Sequence, residues 1–172
     1  RGGAVGQGAE GHTGRSPDGH LLQENPLHGQ VQVVGGELNR VYRSDGALHE
    51  LDSDPAGFEW VAADDVENSV FAFLRKGVGR NADTPVLAIF NCTPIPRVYY
   101  RLGVPTDVVW VEILNTDGAA LGGSNHGNVR GVEASPVPSP GRPYSANLTR
   151  PPLAALFLQP LVRPQGDDPA PS

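Results

Sequence analysis

Val108–Leu114 reads VVWVEIL. It holds β-branched and aromatic residues almost throughout and no turn former, which is the composition of a strand. One strand cannot bury its own apolar side chains, so the fold depends on what flanks it. On the N-terminal side lie four further apolar stretches. Pro85–Cys92, PVLAIFNC, is a near-continuous apolar run and predicts a central strand covered on both faces. Ser69–Leu74, SVFAFL, and Phe58–Val61 are shorter strand candidates, and Val98–Leu102 follows once Pro94 and Pro96 have broken the chain. On the C-terminal side, residues 115–143 hold few apolar groups and many turn formers. Tyr144, Ala146 and Leu148 then alternate with Ser145, Asn147 and Thr149, a half-buried strand pattern, and Leu153–Leu158 is a last apolar strand. Short strands about ten residues apart with turn signals between them predict a mainly β fold, an antiparallel β-sandwich.

The ends read differently. In residues 31–43, VQVVGGELNRVYR, the positions Val31, Val34, Leu38, Val41 and Tyr42 fit one face of a helix. Gly35 and Gly36 within it cost about 1 kcal/mol each relative to alanine, so the helix depends on packing against something. Residues 1–30 are glycine-rich with almost no apolar periodicity and are expected to be poorly ordered, residues 1–28 unsupported and mobile. The tail from Pro164 is expected to be disordered. The expected organisation is therefore 1–50, an irregular segment with one helix; 51–163, an all-β domain; and 164–172, a tail.

Composition narrows the function classes. The 22 Gly and 17 Pro make up roughly a fifth of the 172 residues, above the usual ~12%, so turns are abundant. A net charge of −6 argues against a nucleic-acid footprint, which would be basic and clustered. No apolar run approaches the ~20 residues of a membrane span. No signal peptide opens the chain, so a cytoplasmic location is expected. The single cysteine, Cys92, excludes a disulfide framework and a cysteine-based zinc site, and its apolar neighbours predict a small buried hydrophobe. Position 1 is arginine and the chain holds no methionine, which predicts processing or a piece of something longer.

No chemistry stands out. Gly122–Asn128, GGSNHGN, lacks the Lys-Ser/Thr of a P-loop and the spacing of a dinucleotide turn. His126 has only Asp117 and Glu133 as nearby acids, too few for a metal, and is expected to be loop filler. Asp64, Asp65 and Glu67 read as a solvated turn rather than a carboxylate pair. Ser124 and Ser145 lack a nucleophile elbow. Asn91-Cys92-Thr93 and Asn147-Leu148-Thr149 match the glycosylation pattern but fall in predicted strands. Trp110 is expected in the core. Tyr99 and Tyr100 are the candidates for stacking on sugar rings. No catalytic residue, metal ligand or cofactor is expected.

Ordered strings carry the reading further. Leu38-Asn39-Arg40-Val41-Tyr42-Arg43, Ala47-Leu48-His49-Glu50-Leu51-Asp52, Gly57-Phe58-Glu59-Trp60 and Glu67-Asn68-Ser69-Val70 come first. Asn91-Cys92-Thr93-Pro94-Ile95-Pro96-Arg97, Tyr100-Arg101-Leu102-Gly103-Val104-Pro105 and Leu114-Asn115-Thr116-Asp117 follow. Gly122-Gly123-Ser124-Asn125 with Gly127-Asn128, Gly141-Arg142-Pro143-Tyr144-Ser145 and Pro151-Pro152-Leu153-Ala154 complete the series. In order and spacing, over roughly residues 20–160, this resembles the C-terminal part of bacterial 1,4-α-glucan (glycogen) branching enzymes, of the α-amylase superfamily.

The resemblance implies a retaining glycosyltransferase that moves α-1,4 glucan segments to α-1,6 branch points, with two carboxyl groups on a (β/α)8 barrel. The catalytic motifs of that family lie upstream and have no counterpart here. The chain is thus expected to hold the last barrel helix, near 31–43, and the C-terminal β-domain that packs on the barrel and stabilises it. It would be inactive alone, would meet glycogen through the parent enzyme, and would leave an apolar patch exposed beside the helix. The alternatives are a stand-alone carbohydrate-binding module or a non-functional gene remnant. Gly11 and Gly19 stand where the family has tryptophans, and Gly35 and Gly36 where it has a charged pair.

Overall fold

The computed structural model describes residues 26–162. The expectations for residues 1–25 and for the tail lie outside them. The helix α1 spans Pro26–Ser44, longer at its start than the apolar spacing predicts, so residues 26–30, expected to be poorly ordered, are its first turns. It ends where Asp45 turns outward to cap the next short turn, its carboxylate accepting a bond from the Ala47 N–H at 3.0 Å. Asp54 does the same for the turn Pro55–Gly57. No helix among the described residues is long and apolar enough to cross a membrane.

Eight strands follow: β1 Phe58–Asp65, β2 Val70–Arg75, β3 Val86–Asn91, β4 Arg97–Val104, β5 Val109–Asn115, β6 Val132–Ser135, β7 Tyr144–Arg150 and β8 Ala154–Pro160. All pairings are antiparallel, in the order β1-β2-β3-β8-β5-β6-β7-β4. The layers expected of a sandwich are here two halves of one sheet, continuous through β6, which pairs with β5 by Val109 and Trp110 and with β7 by Ala146 and Ser145. The end strands β1 and β4 pack against each other, so the sheet wraps round a single core.

That core follows from alternation. Val70, Ala72 and Leu74 of β2 point inward, as do Leu87 and Ile89, Leu102 and Val104, Ala146 and Leu148, and Leu156 and Leu158. Trp110 sits among them, fully buried, as its sequence context predicts. Burying an indole of this size stabilises by more than any other single side chain present. A second, smaller cluster lies on the outer face of the sheet, where Val41 of α1, Ala47 and Leu48 cover Val86 and Leu114.

Two expectations are corrected. The strand β6 was not visible in the sequence: it is four residues long and lies between turn formers. Cys92 is exposed rather than buried. The apolar run that contains it stops being a strand at Asn91, and the buried Asn91 amide turns the chain by donating to the carbonyls of Ile95 and Pro151 at 3.0 and 2.8 Å.

Candidate functional site

The GGSNHGN loop connects β5 to β6, not directly to β7 as its neighbours suggest. Its organiser is Asp117, which is 8% exposed. The Asp117 carboxylate accepts from the Ser124 N–H at 2.9 Å, the Ser124 hydroxyl at 2.8 Å and the His126 N–H at 2.9 Å. Burial pushes its carboxyl up, but these bonds pull harder, and the net result lies below the usual carboxylate range. Gly122 takes a left-handed φ of 83°, which glycine adopts without steric cost. At Gly123 a Cβ would collide with the Asp117 backbone. The His126 side chain is exposed, and its loop contacts are made by backbone: its carbonyl accepts from the Asn115 amide at 2.8 Å. The loop is a scaffold, and the Ser124 hydroxyl is spent on Asp117. Among the described residues no group of three His, Cys, Asp or Glu is placed to hold a metal ion.

The acidic stretch before β2 is more than a solvated turn. Asp64 is exposed, but Asp65 is half-buried and accepts from the Asn68 amide at 2.7 Å and the Tyr100 hydroxyl at 2.7 Å. Burial pushes the Asp65 carboxyl up, and the bonds from Tyr100 and Asn68 bring it below its ordinary value. Tyr100 is in turn pushed up to about 12, by burial first and by the Asp65 bond second. The guanidinium of Arg150 lies over the Tyr100 ring, 3.5 Å from its centroid. Arg150 is fully buried, its three side-chain nitrogens have no partner, and burial lowers its pKa. Of the two candidate stacking tyrosines, then, Tyr100 has a ring face occupied from within, whereas Tyr99 is 83% exposed. Sequence reasoning passed over Arg150, whose partner Tyr100 lies on a facing strand, and over the organising role of Asp117, whose partners are mostly backbone N–H groups that residue types do not reveal.

An uncovered apolar surface lies on α1. Of the face Val31, Val34, Leu38, Val41 and Tyr42, only Val41 is buried. Val31, Leu38 and Tyr42 remain exposed, with Val33 beside them. Where the helix meets the sheet, an apolar groove of 240 Å³ opens between Leu38, Val41, Tyr42, Leu48, Leu114 and Phe157. Gly35 and Gly36 have nothing within 4 Å of where a Cβ would stand, so this stretch of helix is bare. The apolar patch expected beside the helix is present.

An eight-stranded antiparallel sheet wrapped round one core, with a helix on its outer face, defines the class: an all-β domain. The chain belongs to the family described as the alpha amylase C-terminal all-beta domain, whose profile matches residues 60–160. It is similar to 1,4-alpha-glucan branching enzymes. The enzyme of Cupriavidus pinatubonensis is 49% identical over 158 residues, 92% of this chain and 21% of the relative. That of Cereibacter sphaeroides is 48% identical over 159 residues, again 92% of this chain and 21% of the relative. That of Albidiferax ferrireducens is 53% identical over 132 residues, 77% of this chain and 21% of the relative. The chain thus spans about a fifth of the length of the curated relatives it matches.

Proposed function

We propose that the chain is the C-terminal portion of a 1,4-alpha-glucan branching enzyme, acting on glycogen in the cytoplasm through a catalytic barrel to which it docks. In this reading residues 51–163 are the all-β domain and α1 is the last barrel helix. The observation that carries it is the bare face of α1 with the groove beside it, in a chain about half identical to one fifth of such enzymes. Retaining transfer needs two carboxyl groups about 5–5.5 Å apart, one of them free to attack. Among the described residues the adjacent carboxylates Asp64 and Asp65 end β1, and the second is held by Tyr100 and Asn68. We infer that the chain alone does not branch glucan, and that its role is to stabilise the barrel.

The test joins this chain to the remaining four-fifths of a relative whose own C-terminal fifth has been removed. Branching is followed by the fall in amylose–iodine absorbance. The joined protein is expected to branch and the chain alone to leave the absorbance unchanged. Leu38→Asp should weaken the joined enzyme without lowering the melting temperature of the isolated chain. A drop in absorbance with the pure chain would overturn the reading, as would a joined enzyme indifferent to Leu38→Asp.

A further inference from the structure

At one end of the core two guanidiniums are brought together on the same face of the sheet. Arg97 pairs with Arg150 and Tyr100 with Leu148, so three steps along β4 match two along β7. One extra residue is held in β4 as a bulge, a device that re-aims side chains. Val98 and Tyr99 lie between the two paired positions, and both are exposed. Tyr99 takes a φ of 58°, a left-handed conformation that strains a tyrosine. In an unbroken strand Arg97 and Tyr100, three residues apart, would lie on opposite faces. The bulge puts them on one face, so Arg97 stands opposite the buried Arg150. Like charges directly opposite each other destabilise a sheet, and here a strained residue holds them there.

Nothing among the described residues answers these charges in full. The Nε, Nη1 and Nη2 of Arg150 are buried without an acceptor, and so is the Nε of Arg97. No ion pair includes either arginine. The Tyr100 ring covers one face of the Arg150 guanidinium, which offsets part of the charge but leaves the N–H groups in the guanidinium plane unmet. The neighbouring acceptors are bonded elsewhere. Asp65 takes the Tyr100 hydroxyl and the Asn68 amide. The carbonyls of Ile95 and Pro151 take the Asn91 amide, whose own oxygen takes the Thr93 hydroxyl. Burial lowers the Arg150 pKa first and the charge of Arg97 pulls the same way, against Tyr100 and Asp65. A buried charge is tolerated when it is paired and hydrogen-bonded. Two arginines set against Asp65 leave one positive charge over. A guanidinium presents a planar fork of donors suited to an anion. The complete burial of Arg150 requires that anion to be small, and the half-buried Arg97 lies on its way in.

We propose that Arg97 and Arg150 form a site for one small monovalent anion, with chloride as its probe, held between the two guanidiniums and fastening the bulged end of β4 to β7. The site is separate from the face of α1 and does not rest on the branching-enzyme reading.

The test is thermal melting of the full 172-residue chain at constant sodium concentration, with gluconate replaced stepwise by chloride. Gluconate is too bulky to reach buried donors. At a tenfold excess of chloride over its dissociation constant, the wild-type melting temperature is expected to stand about 3–6 °C higher. Arg97→Gln and Arg150→Leu each remove one guanidinium, and both should melt alike in the two salts. Isothermal titration with chloride should give a binding heat for the wild type and none for either variant. Equal melting of the wild type in chloride and gluconate overturns the site, as does a rise that survives in Arg97→Gln. That variant lies at a half-buried position, so it decides the question even where Arg150→Leu does not fold. A chloride response that appears only after residues 163–172 are removed also overturns the proposal, since it would give the two arginines to a carboxylate of the chain itself.

Discussion

Replacing Asp117 tests the scaffold reading of the β5–β6 loop. Its carboxylate gathers the Ser124 N–H, the Ser124 hydroxyl and the His126 N–H, all within 2.9 Å. A hydrogen bond to a charged group is worth about 1.5–3 kcal/mol. Asp117→Ala strands two backbone donors at once, but the loop is open enough for water to replace part of the loss. The expected cost is about 3 kcal/mol rather than the full sum, or roughly 10 °C in melting temperature. Asp117→Asn keeps the shape but sets amide hydrogens against one of the donors, and should cost about 2 kcal/mol. The pH dependence follows from the sign of the shift. The folded carboxyl lies below its ordinary value, so its contribution is complete above about pH 5 and is lost as the pH falls through the lowered folded value. The gap between wild type and Asp117→Asn, measured by urea denaturation, should therefore close on acidification. His126→Ala is the control: its imidazole is exposed, and the change should stay within about 0.5 kcal/mol. An Asp117→Ala variant within about 1 kcal/mol of wild type, or a gap that stays constant down to pH 3, would refute the account.

Trp110→Ala should cost about 3–5 kcal/mol in urea denaturation, and Trp110→Phe less, because it also removes an indole N–H that has no partner. Arg150→Leu should be neutral or stabilising by about 1–2 kcal/mol, since it replaces a buried guanidinium whose nitrogens are unpaired. Arg150→Ala should destabilise by opening a cavity against Tyr100, and thermal melts of the two variants separate charge from packing. Tyr100 should show its phenolate absorbance only near pH 12. Because its folded value is raised, its contribution is intact below about pH 10 and is lost as the pH climbs toward that value. Tyr100→Phe should remove the component of that rise near pH 12.

What could be read from sequence was what depends on neighbours. VVWVEIL and the alternation in Tyr144–Thr149 announce strands because period and composition are local. The spacing in 31–43 announces a helix for the same reason. How much of that helix would be covered was not legible, since of its apolar face only Val41 is buried, while Leu38 and Tyr42 border an open groove and Val31 is bare. The strand β6 exists because β5 and β7 each offer it two register partners, a property of its neighbours and not of VEAS itself. The Cys92 reading failed because Asn91 ends the strand one residue earlier through a carbonyl 60 positions away. The Tyr99 bulge is set by the count of residues on two paired strands, and no single window of sequence contains both.

The meeting of the first and last strands of the sheet bears on how the chain behaves before it finds a partner. An open sheet has two edges of unpaired N–H and C=O groups, and each is a template for another molecule's strand. Here those edges belong to β1 and β4, and side chains stitch them together. Tyr100 reaches from β4 to Asp65 at the end of β1, and Glu59 of β1 binds Arg142, whose side chain lies over Gly103 of β4. The backbone rims are thereby turned toward each other instead of outward. Among the described residues the bare apolar face of α1 belongs to a helix, whose backbone groups are already paired and cannot propagate a cross-β stack.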